Sequence, residues 1–384
     1  MSNNEQYFEA LNILEKIKEL FKDEHFRILI EQKEGEYFPD FVKQKLYEYT
    51  TFYNKNLKTL IDDSEIFSNK ESSPPLRKIK VLSDAINKTI DTHYDGNIHK
   101  ASSILFRAFN KTIALKNVGG VIYPDKVMAM NTEYSREDYP LYRGRKEEIE
   151  KPYFSKIDLF HIPFEERYKI RTNRYSISGN PALYFGDSTY VCWKEMEVSS
   201  CNIYYYSKFK INSIKPLKII SLKRVEDCIL STKDLSYFDH KDWENKYNEL
   251  ALLFINTMQY LSTFPLILAC TIKVKNPTDS TPNQPFKPEY IIPQLLIQFV
   301  QFQKSDIIGI KYPSTKVDYS KLENTTAYNY AFPVKKSSKD GFCKTLVDTF
   351  QLTEPTKIYG YGNQISDCLK LEEKLGKKAF SSVI

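Results

Sequence analysis

The chain has 384 residues, 41% of them hydrophobic and 27% charged, with a formal net charge of +6. Such values describe a globular chain long enough for two domains. Its lysine runs, "LRKIKV" and "KKSSKD", are short solvated faces rather than the dense basic clusters nucleic acid demands, so no nucleic-acid partner is expected.

The opening "MSNNEQYFEALNILEKIKEL" is polar and then amphipathic, unlike a signal peptide, and a cytoplasmic location is expected. Phe8, Leu11, Leu14, Ile17 and Phe21 predict a helix over 6–22. Phe41, Leu46, Tyr49, Phe52 and Leu60 repeat the pattern over 40–61. A Ser-Pro-Pro break follows, then two helices, "PLRKIKVLSDAINKTIDTHY" and "IHKASSILFRAFNKTIAL", joined by the stop-and-restart signal "DGN". Residues 1–125 therefore read as an all-helical domain.

After "NVGGVIYPDKV" the chain breaks into short apolar runs bounded by Pro, Gly, Asn and Ser. Strands are predicted at "PLYRGR", "PALYFGD", "LKIISL", "PLILACTIKV", "IIGIKYPS" and "NYAFPVK". Helices are predicted between them at "STYVCWKEMEVS", "KDWENKYNELALLFINTMQYLS" and "IIPQLLIQFVQFQK". This mixture predicts an α+β domain over 130–384. The most apolar stretch, "LALLFINTMQYLSTFPLILACTI", carries Asn256, Gln259 and Pro265 and reads as a buried helix followed by a strand, not as a membrane span.

The six cysteines (Cys192, Cys201, Cys228, Cys270, Cys343 and Cys368) include no CxxC pair and no zinc spacing, so no metal is expected. Several lie in apolar runs, as buried thiols of a reducing compartment do. The sequence has no GxxxxGK[ST], HExxH or GxSxG. "GYGNQ" lacks the third glycine of a dinucleotide fingerprint. Five histidines poorly supply a triad or a metal site, and His161 in "FHIPF" reads as a structural or loop histidine.

What remains is a set of Arg, Tyr, Glu and Ser. It suits cleavage of a glycosidic bond whose leaving group is already cationic, as the nicotinamide of NAD+ is. Arginine grips pyrophosphate, tyrosine stacks on the leaving ring, and a carboxylate stabilises the oxocarbenium-like sugar. Glu195 follows Val191 by four on a helix begun by Asp187 and Ser188, which puts it on the face of an apolar residue.

In order along the chain, "LYRGR", "RYSISGNPALYFGDSTYVCWKE", "PQLLIQFV" and "GIKYPSTK" resemble the RES domain, named for its Arg, Glu and Ser. That resemblance spans roughly residues 137–335 and implies an ADP-ribosyltransferase-related fold and a bacterial toxin that consumes NAD+ as substrate, with no further cofactor. It assigns catalytic roles to Glu195, Arg143, Ser314 and Tyr184, and nucleotide binding to Arg174, Gln294 and Arg145. Arg145, two residues after Arg143, shares its strand face. Each residue also has an ordinary structural use: strand-end or turn arginine, core tyrosine, surface glutamate, turn serine, helix-start glutamine. The helical N-terminal part resembles HEPN bundles and would gate the site, pair with a second copy or sense a trigger. An antitoxin or other regulatory protein is a further expected partner. The acceptor (water, phosphate or a protein side chain) stays open, as does a non-catalytic nucleotide-binding role.

Overall fold

The structure is a computed structural model and describes residues 3–64, 75–113, 132–135, 141–147, 152–196, 203–212, 217–232, 234–238, 243–275, 285–302, 307–322, 326–359 and 365–383. "NVGGVIYPDKV", most of the Ser-Pro-Pro break, Cys201 and "GYGNQ" lie outside these residues. The helices are α1 (Asn3–Leu20), α2 (Phe38–Asn56), α3 (Lys58–Ile61), α4 (Pro75–Tyr94), α5 (Ile98–Ile113), α6 (Thr189–Glu195), α7 (Ile229–Thr232), α8 (Trp243–Thr271), α9 (Ile291–Phe302), α10 (Lys344–Thr349) and α11 (Ile365–Gly376). The strands are β1 (Thr132–Ser135), β2 (Leu141–Lys146), β3 (Ala182–Gly186), β4 (Ile203–Ile211), β5 (Leu217–Ser221), β6 (Ile307–Pro313), β7 (Tyr328–Pro333), β8 (Phe350–Thr353), β9 (Thr356–Tyr359) and β10 (Phe380–Ser381).

The fold is α+β, in two compact units: Met1–Thr132 with Ser221–Leu295, and Glu133–Ile220 with Leu296–Ile384. The single boundary expected between residues 125 and 130 is thus corrected, because 221–295 belong with the N-terminal helices. The cause is α8, whose apolar surface packs against α1, α2 and α4. By length and composition Lys246–Thr271 is apolar enough to cross a membrane, and most of it is buried in the protein.

The strand expected at "PLILACTIKV" is also corrected, since α8 runs through Pro265 to Thr271. Proline lacks the N–H that would bond the carbonyl four residues back. That carbonyl, on Leu261, instead accepts the Tyr49 hydroxyl at 2.8 Å. The Tyr49 ring packs on Phe264, centroids 4.5 Å apart. Tyr49→Phe is expected to destabilise the protein by about 1–3 kcal/mol, the cost of a buried unsatisfied carbonyl. A urea midpoint unchanged from wild type would contradict this role. Between α4 and α5, Gly96 takes a φ of 80° that favours glycine. Asn97 then restarts the helix, its side chain accepting from the Lys100 N–H at 3.0 Å.

The second unit is built on a ten-stranded sheet with main order β1-β5-β6-β7-β3-β2-β4-β8-β10, in which β9 pairs with β4. One face buries Leu141, Leu183, Phe185, Phe209, Tyr330 and Phe332, and Phe185 contacts Phe209, Phe332 and Phe350. The other face carries Tyr142, Tyr204 and Tyr206 under Cys192 and Trp193 of α6 and Leu371 and Leu375 of α11. Strand pairing is uneven across the middle of the sheet. β2 pairs with β4 over six residues and β3 with β7 over five, but β2 and β3 share one pair, Tyr142 with Gly186. Beyond that pair β2 and β3 share no register partners, which leaves a fork in the ladder between the two halves of the sheet.

His161 proves structural. It is buried, its Nδ1 lies 2.8 Å from the Ile162 carbonyl, and its Nε2 accepts the Cys343 N–H at 2.9 Å. The Cys343 bond requires a lone pair on Nε2, which fixes a neutral ring with the proton on Nδ1. Burial, with the nearby charge of Arg143, lowers its pKa from 6.5 to about 4. The unfolded chain therefore takes up this proton first as pH falls. The stability held above pH 6.5 is lost toward pH 4, by roughly 3 kcal/mol through linkage. His161→Gln keeps a donor and an acceptor but does not titrate. It is expected to flatten this limb of the stability–pH curve, and a variant curve parallel to wild type would rule the linkage out.

Candidate active site

The chain turns sharply from β3 into α6. Ser188 caps the helix, its side chain accepting from the Val191 N–H at 3.2 Å. Glu372 of α11 accepts from the Thr189 N–H at 2.7 Å and the Thr189 hydroxyl at 3.0 Å. Gly186 lets the helix sit directly on the sheet: a Cβ there would meet Cys192 Sγ and the Ser188 carbonyl, each at 3.0 Å.

Asp187, read from sequence as part of the cap, does something else. Its N–H donates to the Tyr328 carbonyl at 2.9 Å. Its Oδ2 accepts from the Tyr328 N–H at 3.0 Å and the Thr326 hydroxyl at 2.9 Å. These bonds lash the β3–α6 turn to the start of β7. Burial pushes the Asp187 carboxyl up, to about 7; Glu372 adds to the rise, while the two bonds and the charge of Lys311 oppose it.

Glu195 is the last residue of α6 and is exposed, whereas Val191, one turn earlier, is buried. The apolar-face placement expected from the four-residue spacing is therefore corrected: the helix ends at this residue, and the carboxylate lies at an edge open to solvent. It is nonetheless anchored. Ser314, fully buried just after β6, donates its hydroxyl to Glu195 Oε1 at 2.6 Å. Asn329 of β7, also buried, donates its side-chain amide to the same oxygen at 2.5 Å. The Lys316 N–H donates to Ser314 Oγ at 3.2 Å and the Ser314 N–H to the Ala327 carbonyl at 2.9 Å, which fixes the serine in turn.

Arg143 stands at the fork. It is half-buried, its Nε is buried with no hydrogen-bond partner among the described residues, and its Nη1 donates to the Tyr184 carbonyl at 2.8 Å. Burial, with repulsion from Arg145, lowers its pKa to about 9, which leaves it cationic at neutral pH. Among the described residues it forms no ion pair. Arg145, on the same strand face, donates to the Asp158 carbonyl at 3.2 Å. The Tyr184 side chain is partly exposed, in a strand whose neighbours Leu183 and Phe185 are buried. Arg174 is buried in a tight loop bridged by Asn173 and Ser176. The next residue, Tyr175, packs on Tyr312 with centroids 4.2 Å apart, and Tyr312 is the register partner of Asn329.

The structure thus brings Glu195 and Ser314 into direct contact and joins Arg143 to the Tyr184 backbone, all within the sheet-containing unit. No hydrogen bond or ion pair among the described residues links Arg143 to Glu195. Gln294 is half-buried on α9, in the part of that helix that belongs to the helical unit. Sequence reasoning missed Asn329. It lies in "NYAFPVK", read only as a strand, and nothing but strand register reveals its reach. No group of three or more potential metal ligands clusters among the described residues.

This is a mixed α/β protein with a helical N-terminal region and a solvent-open carboxylate anchored by two buried donors. Over 299 residues it is 35% identical to a Bacillus subtilis (strain 168) protein named "Putative toxin YopC", an alignment covering 77% of this chain and 62% of that protein. The chain therefore spans less than two thirds of that relative's length. No protein-family model and no solved structure matches it.

Proposed function

We propose that the chain is a toxin-type enzyme of the RES kind, with an ADP-ribosyltransferase-like fold, that breaks the nicotinamide–ribose bond of NAD+. The observation that carries this reading is Glu195, open to solvent yet oriented by Ser314 and Asn329. An anchored carboxylate beside a ligand is what an oxocarbenium-like ribose needs. Arg143, a cation with no ionic partner among the described residues, at the sheet fork, suits the pyrophosphate. Tyr184 and Arg174 are assigned to the nicotinamide ring and the phosphates. The likeness to a protein named as a toxin agrees with this reading.

In the reaction the bond from ribose C1′ to the pyridinium nitrogen breaks. Its electron pair goes to that nitrogen, and neutral nicotinamide departs. An acceptor oxygen bonds C1′ and gives up its proton to solvent or to Glu195. With water the product is ADP-ribose. With inorganic phosphate it is the 1″-phosphate, and with a side chain it is a modified protein.

The test is to incubate purified protein with NAD+ and follow nicotinamide by chromatography, with mass spectrometry of the ribosyl product to identify the acceptor. Release of nicotinamide is expected, as is a fall in cellular NAD+ with growth arrest on expression in a bacterium. Saturable NAD+ binding without any release would overturn the reading.

A further inference from the structure

Asn329 of β7 and Ser314, just after β6, converge on one oxygen of Glu195, and the family-like motifs account for only Ser314. From this geometry we infer that Asn329 is a positioning residue for the Glu195 carboxylate, equal in rank to Ser314; the inference rests on the NAD+-cleaving reading above. Both donors end on Oε1, and Oε2 has no hydrogen-bond partner among the described residues. A carboxylate held by one oxygen is fixed in rotation and presents the other. Oε2 is therefore the atom offered to the ligand, as acceptor for a ribose hydroxyl and as the near charge for a developing cation.

The backbone explains how a β7 side chain reaches α6. Asn329 is the register partner of Gly186 on β3, so both face the same side of the sheet. Gly186 has no side chain to obstruct the approach, and its closeness to Ser188 and Cys192 holds α6 against the sheet. On the other flank Asn329 pairs with Tyr312 of β6, two residues before Ser314. Asp187 bonds the N–H of Tyr328, directly before Asn329. The amide is thus seated from both neighbouring strands, and its own backbone is pinned by the turn that opens α6. A buried asparagine serving only the core would have no reason to spend a donor on an exposed carboxylate.

The test compares Asn329→Ala, Asn329→Asp and Ser314→Ala with wild type and Glu195→Ala in the nicotinamide-release assay, with thermal melts as folding controls. Asn329→Ala is expected to lower kcat about 10–100-fold with KM almost unchanged, the fold-change of one hydrogen bond to a charged group. Combining it with Ser314→Ala should cost less than the product of the single losses, because both act through one oxygen. Asn329→Asp is nearly isosteric but sets two carboxylates within hydrogen-bond reach. Its activity should be lowest at neutral pH and should recover in mildly acidic buffer, where the introduced carboxyl takes up a proton and donates as the amide did. A loss from mere unfolding would not recover in this way.

An inactive Glu195→Ala alongside a folded Asn329→Ala with wild-type kcat would overturn this inference and leave the NAD+ reading intact. Wild-type protein that releases no nicotinamide would overturn both.

Discussion

Glu195→Gln is expected to slow nicotinamide release about a thousandfold while barely changing thermal stability. The two halves of that expectation have separate causes. Glu195 is exposed at a helix end, so its charge contributes little to the fold. Glutamine has the same shape, and its carbonyl still accepts from Ser314 and Asn329, so the side chain keeps its orientation. On the proposed reading, what disappears is the negative charge opposite the ribose, and the oxygen offered to the ligand becomes an amide donor. Charge stabilisation in a preorganised site is the largest single term in many such reactions, and a thousandfold corresponds to about 4 kcal/mol. KM should change by less than kcat, since the interaction strengthens in the transition state. A variant within about tenfold of wild type would remove Glu195 from the chemistry.

Arg143→Met is expected to weaken NAD+ binding about a hundredfold or more and, in the same protein, to raise the melting temperature. A guanidinium with a buried Nε and no ionic partner among the described residues is costly to the folded state, and the lowered pKa of Arg143 has burial as its first cause. Removing an uncompensated cation returns several kcal/mol, more than the roughly 1–3 kcal/mol lost when the Tyr184 carbonyl gives up its donor. Methionine fills the same space without charge. A cation kept at such a cost is explained by an anionic ligand. Calorimetric titration with NAD+ and a melting curve measure the two effects. A stability loss with unaltered binding would make Arg143 a structural bridge across the fork and nothing more.

How much of this was legible in the sequence depended on how local the signal was. The helices α4 and α5 were legible because periodicity, caps and the "DGN" turn all act within a few residues. Glu195 and Ser314, 119 residues apart, were both named through the family-like motifs. Asn329 was not, because its role comes from register: its partner Gly186 and its target Glu195 lie more than 130 positions upstream. The segment after Tyr260 was misread because a short apolar run fits a buried strand and a buried helix equally. Pro265 tipped the reading toward a break, while the hydroxyl that tolerates it comes from Tyr49. The unit boundary failed for a related reason. Nothing local says that α8 packs against helices that precede it by some two hundred residues. β4 and the C-terminal strands β8, β9 and β10 were missed as well; β8, β9 and β10 are four, four and two residues long, too short for a two-residue period to stand out.

The central claim is that the carboxylate anchored by Ser314 and Asn329 faces the nicotinamide-bearing ribose of NAD+. A crystal structure of the Glu195→Gln protein with NAD+ tests it most directly, because the slowed variant should retain the intact dinucleotide. A ribose hydroxyl is expected within hydrogen-bond distance of the residue-195 side chain, with the pyrophosphate against Arg143. Dinucleotide bound elsewhere, with residue 195 facing only solvent, would contradict it.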